Sequence, residues 1–187
     1  PTPAAAACCT CTGWWAMIIT LVVAGMVLAM SVFSYVFLWS RSSAPWPAPS
    51  DLGRALATGG LNLTTIGLVW LANRQLARPL LATLLVVLAA AAVATAWGLD
   101  LSGWREAGLQ ASTSAQGAIV YSMQSWQGFF IGVCALMAVY VVLRWAFGYV
   151  GPDRPATMQL VGLFLAYVAA QGLVLLTLPR LLAMAAP

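Results

Sequence analysis

WWAMIITLVVAGMVLAMSVFSYVFLW, residues 14–39, holds no charged side chain and only four hydroxyls, those of Thr20, Ser31, Ser34 and Tyr35. As an α-helix it rises about 1.5 Å per residue, which sets Trp14 and Trp39 roughly 37 Å apart. The hydrocarbon core of a bilayer is about 30 Å thick, and Trp prefers the interfaces that flank it. The stretch therefore predicts a membrane-spanning helix with an aromatic anchor at each end.

The rest of the chain has the same character. Of its 187 residues, 63% are hydrophobic and 6% charged. A soluble domain carries about 25% charged residues, so this chain has too few to cover a water-facing surface. Its apolar runs are continuous rather than alternating, which selects helices over a β-barrel. The expected fold is all-α, an integral membrane bundle of five transmembrane helices with spans at about 13–40, 52–73, 80–99, 115–147 and 157–178. They form one domain, 13–183, after a flexible tail at 1–12 that lacks the basic opening of a signal peptide.

The connections follow from their breakers. RSSAPWPAPSD (41–51) holds three prolines, with Trp46 suited to a membrane surface and Ser50 suited to cap the next helix. NRQLARP (73–79) is a tight turn whose Pro79 fits the first turn of the third helix. DLSGWREAGLQASTSAQG (100–117) reads as the longest polar connection and takes Asp100 and Glu106 out of the spans. GYVGPDRPA (148–156) turns the chain into the last span, which is expected to stop before Pro179 and Arg180.

Several polar side chains remain inside the spans: Asn62, Thr64 and Thr65 in the second, Gln116, Gln124 and Gln127 in the fourth, Gln171 in the fifth. An unpaired amide in hydrocarbon is costly, so these residues are expected to bond from helix to helix. The three glutamines of the fourth span lie within about 80° of one another at 100° per residue. The same span carries Gly128-Phe-Phe-Ile-Gly132, with Ala135 extending the row of small residues. Gly128, Gly132, Ala135, Gln116, Gln124, Gln127 and Asn62 are thus the candidate helix-packing residues.

Composition also narrows the chemistry. All eight basic residues are Arg, and there is no Lys and no His. The net charge of +4 is modest, and no basic cluster suggests nucleic acid. Without His the commonest ligand for haem, copper or zinc is missing. Cys134 reads as a packing residue; Cys8, Cys9 and Cys11 leave metal binding, a disulfide, lipidation or a plain reactive tail open. No catalytic, cofactor-binding or metal site is expected. With the N-terminus inside, Arg74, Arg78, Arg144 and Arg154 fall inside and Arg41, Arg54, Arg105 and Arg180 outside, so charge gives no orientation.

Four motifs, in order, carry a family resemblance: WWAM (14–17) leading into FSYVFLW (33–39), the loop APWPAP (44–49), LNLTTIGLVWLAN (61–73), and a polar loop followed by a Gly-containing helix and a last helix. Together they resemble subunit III of the haem-copper terminal oxidases, the cytochrome c and quinol oxidases, in its five-helix form. The chain departs from that family at its ionisable hallmarks. Ala24 stands where the family has a membrane glutamate, Gln127 and Phe130 where it has a His pair, and Leu165–Ala169 where it has a Trp-His-Phe segment.

The resemblance implies a non-catalytic accessory subunit of an aerobic respiratory chain in a bacterial inner membrane. Its partners would be the catalytic subunit I and subunit II, with haem and copper in the partner and none here. The roles it implies rest on shape: bracing the catalytic subunit, holding lipids, and shielding the region where protons enter. Arg74 and Arg78 are the candidate lipid-headgroup contacts. Three other readings stay open: a subunit III-like partner of a nitric oxide reductase, a small transporter with a polar cavity lined by Asn62, Gln124, Gln127 and Gln171, and an unrelated assembly factor.

Overall fold

The structure is a computed structural model. It describes the backbone of residues 3–42, 46, 51–112, 114–151 and 155–185, and the side chains of the same ranges except 3–12 and 185. Five α-helices follow one another: α1 (Pro3–Arg41), α2 (Leu52–Arg74), α3 (Pro79–Glu106), α4 (Ala115–Ala146) and α5 (Ala156–Ala185). All five are long and apolar enough to cross a membrane, and among the described residues there is no strand. The chain is a multi-pass helical membrane protein.

Three helices run further than the sequence predicts. α1 starts at Pro3, so the residues expected as a tail continue the helix in backbone. Pro is tolerated in a first helical turn, and the alanines that follow have the highest helix propensity. α3 passes residue 99 and ends at Glu106, which moves Asp100 from the expected loop into the helix. α5 passes 178 and includes both Pro179 and Arg180. The side chains of Cys8, Cys9 and Cys11, and most of the APWPAP loop, lie outside the described residues.

The helix ends have local causes. Asp51, rather than the expected Ser50, caps α2, its side chain accepting from the Arg54 amide at 3.1 Å. Pro79 opens α3 as expected. Ser114 caps α4 by accepting from the Gly117 amide at 3.0 Å. α3 and α4 close with the same device: Gly108 and Gly148 take positive φ, 76° and 72°, which glycine adopts freely. The next amides then reach back, Leu109 to the Trp104 carbonyl and Tyr149 to the Arg144 carbonyl. This is the Schellman stop, which satisfies carbonyls a helix end would otherwise leave bare. At Gly117 any side chain would run into the Gln110 carbonyl, so the turn before α4 requires glycine.

The helices alternate in direction, and α2, α3, α4 and α5 form a closed four-helix ring in which α3 also touches α5 across the middle. α1 stands outside the ring and packs on α4 and α5 alone among the described helices. Of its described side chains only Ala24 and Tyr35 are buried, while Ile19, Met26, Met30 and Phe33 project outward. The core runs through the ring: Val86, Val93, Cys134, Leu165 and Val168 are each at most 1% exposed. Cys134 is therefore the packing residue the sequence suggests. A second cluster caps the ring at the face where α1 and α3 end, around Tyr35 and Trp104. Trp46 meets Tyr35 there edge-on, ring centroids 5.1 Å apart.

Candidate functional site

The polar interior begins with Asp100, 5% exposed, two turns before the end of α3. One carboxylate oxygen, Oδ2, accepts from Gln124 Nε2 on α4 and from Trp104 Nε1 at 3.3 Å. The other, Oδ1, faces Arg180 Nη2 on α5 at 3.6 Å. That is an ion pair, but too long for a hydrogen bond. Arg180 reaches this place because α5 does not stop at Pro179. Its Nη1 also donates to the Leu176 carbonyl at 2.6 Å. The expectation that no carboxylate lies inside a span is overturned here: the polar sequence LDLSGW stays helical because the buried Asp100 finds a cation on another helix. An ionisable residue inside a spanning segment marks a functional site by default, with its partner named.

A second pair sits nearer the surface at the same end. Arg54 Nη2 at the start of α2 meets Glu106 Oε2 at the end of α3 at 2.8 Å. Glu106 is well exposed, so this pair contributes little to stability but fixes how two helix ends meet.

From Asp100 the polar side chains continue into the ring. Trp97 Nε1 donates to the Gln124 carbonyl at 3.0 Å, joining α3 to α4. Gln127 Nε2 donates to the Val168 carbonyl at 3.0 Å, joining α4 to α5. Thr65 Oγ1 reaches the Ala89 carbonyl at 3.4 Å, joining α2 to α3. Asn62 Nδ2 donates within α2, to the Thr58 carbonyl at 2.9 Å. Between these groups lies a cavity of about 10 Å³, walled by Thr58, Asn62, Asp100, Gln124, Gln127 and Gly172 among others.

The packing candidates divide. Asn62, Gln116, Gln124 and Gln127 are all buried, at 2–4% exposure. Gln116 meets the Tyr35 hydroxyl, tying α4 to α1. Gly128 packs within the chain: a Cβ there would stand 2.8 Å from Trp97 of α3. Gly132 and Ala135, by contrast, face outward, and a Cβ on Gly132 would meet nothing within 4 Å. The expected small-residue row on α4 is thus no helix contact of this chain beyond Gly128, since the neighbouring helices leave the surface at Gly132 and Ala135 uncovered.

The close approaches that the sequence reading missed are on α5. A Cβ on Gly162 would lie 2.9 Å from Val69 and Asn73, and one on Gly172 would lie 2.8 Å from Asn62 Oδ1. Glycine at these two points lets α2 and α5 touch backbone to side chain.

The remaining candidates keep their places without gaining a shared site. Arg74 and Arg78 lie at the opposite end of the bundle from Asp100, and the Arg74 guanidinium sits 3.9 Å above the Trp70 ring. Ala24, the position of the missing family carboxylate, is the buried point of α1 midway along its span, facing the core. Phe130 sits in an aromatic cluster with Trp126, Phe164 and Tyr167, and Leu165–Ala169 is a core segment. Among the described residues no three His, Cys, Asp or Glu side chains come together. Compared with protein-family profiles the chain matches none, and no curated protein matches it.

Proposed function

We propose that this chain is a non-catalytic accessory subunit of a membrane oxidoreductase, similar in role to subunit III of a bacterial haem-copper terminal oxidase. In that reading it packs against subunits I and II in the inner membrane, holds lipids, and leaves haem, copper and oxygen chemistry to its partners. One observation carries the scaffold part of the reading. The ring ties Trp97, Gln124 and Gln127 from helix to helix and leaves a polar cavity of only about 10 Å³ beside them, while most of α1 offers its apolar surface outward. A bundle built in this way is suited to bracing a neighbour. The order of the motifs from WWAM to the last helix supports the oxidase.

The test is purification through a tag on this chain in mild detergent. Haem absorbance and oxygen consumption that co-purify with it support the proposal. A chain that emerges pure and colourless from intact membranes sinks it, and nitric oxide reduction in place of oxygen reduction would move it to that enzyme.

A transporter is the second reading, because the cavity does gather Asn62, Gln124 and Gln127. Its volume is about that of one water site, far below the 300–1,000 Å³ of an ordinary small-molecule pocket. Solute uptake by liposomes holding this chain alone would favour it over the scaffold.

A further inference from the structure

The cavity beside Asp100 is lined by more acceptors than its own donors can serve. The amide groups around it are oriented by their nitrogens: Asn62 Nδ2 goes to the Thr58 carbonyl, Gln127 Nε2 to the Val168 carbonyl and Gln124 Nε2 to Asp100 Oδ2. With the nitrogens so engaged, Asn62 Oδ1 and Gln127 Oε1 are left without partners, and Thr58 Oγ1 and Asp100 Oδ1 also lack a hydrogen bond. Asp100 Oδ1 has only the longer contact to Arg180, at 3.6 Å. All four residues are at most 5% exposed. Asn62 Oδ1 is directed at the bare backbone of Gly172, itself part of the cavity wall.

Each such group left unsatisfied in a buried place costs about 1–3 kcal/mol. A ligand that answers three carbonyl-type oxygens and a hydroxyl presents positive charge or hydrogens to them. The space of about 10 Å³ is near the minimum that holds one water and is too small for a polyatomic solute. Hard cations are also bound through oxygen ligands of this kind, neutral carbonyls and hydroxyls included, with no need of His or Cys.

We propose that this cavity is a binding site for a single water-sized electropositive ligand, a water molecule or a sodium ion, held by Thr58 Oγ1, Asn62 Oδ1, Asp100 Oδ1 and Gln127 Oε1. The ligand joins α2, α3 and α4 through oxygens that have no hydrogen bond of their own. The inference does not depend on the accessory-subunit reading, since it concerns only the inside of this chain.

The test uses the full chain in lipid nanodiscs with any subunits that co-purify, and has two arms. In the first, the thermal midpoint is compared in sodium chloride and in choline chloride at equal ionic strength. A sodium ion in the site gives a saturable rise of about 5–10 °C at a hundred-fold excess over Kd. In the second, magnetisation transfer from water protons to the Asn62 and Gln127 side-chain amides is followed by NMR. Transfer without any sodium dependence assigns water. Either signal is expected to vanish in Thr58→Val, which keeps the side chain's shape and removes the oxygen. Gln127→Met serves in its place if that variant does not fold. Absence of both signals, or their survival in the variants, overturns the site.

Discussion

Asp100 on α3 and Arg180 on α5 stand 3.6 Å apart inside the spanning part of the bundle, 80 positions apart in the chain. Each charge is tolerable there only because of the other. Truncating one member of a buried pair strands its partner and typically costs about 3–5 kcal/mol, whereas replacing both by apolar residues is often near neutral. Arg180→Ala is therefore expected to destabilise the fold by about that amount, and Asp100→Leu with Arg180→Leu to recover most of it. Denaturation midpoints of the single and double variants measure the coupling. Additive effects would mean that the pair does not act as one.

Trp104 makes the second direct bond to the same carboxylate, at 3.3 Å. Trp104→Phe keeps the ring and removes the donor. The expected loss is about 1.5–3 kcal/mol, the usual range for a hydrogen bond to a charged group. It should be smaller than that of Arg180→Ala in the same denaturation assay.

Glycines that face a neighbouring helix and the outward Gly132 should behave in opposite ways. Gly162→Ala and Gly172→Ala press a Cβ into α2 and should each destabilise the ring by about 1–3 kcal/mol. Gly128→Leu should do at least as much damage against Trp97. Gly132→Leu projects outward and should leave the isolated chain's melting unchanged. If it nonetheless releases the chain from a co-purified complex, that surface touches a partner, so melting and pull-down read two different things.

The alternating helices put Arg78 and Arg105 on opposite sides of the membrane. In a background lacking all four cysteines, Arg78→Cys and Arg105→Cys should react with an impermeant thiol reagent from opposite faces of sealed vesicles. Labelling from the same face would refute the five-span arrangement.

Why some of this was legible in the sequence, and some was not, follows from where the determining contacts lie. The five spans are written in local composition, and Pro79 marks a helix start wherever its neighbours are. The burial of Asn62, Gln124 and Gln127 follows from the expense of an exposed amide in hydrocarbon. The ends of α3 and α5 are different. A carboxylate at 100 and a Pro-Arg at 179–180 each look like a stop when read alone, and each is cancelled only by the other. The apolar residues that follow both, Leu101 and Trp104 in one case and Leu181 and Leu182 in the other, are the local sign that the helices continue. The small-residue row on α4 is only partly legible: Gly128 packs on Trp97 while Gly132 faces outward, because spacing alone does not say how far along a helix its neighbour follows.

The position of α1 has a consequence for biogenesis. Among the described helices its neighbours are α4 and α5, which leave the ribosome after the other three. While α2 and α3 already pair as a hairpin, the earliest of these five spans must wait in the lipid without either of its two neighbours. It is held there by its own hydrophobicity and its Trp-flanked ends until α4 and α5 arrive to receive it.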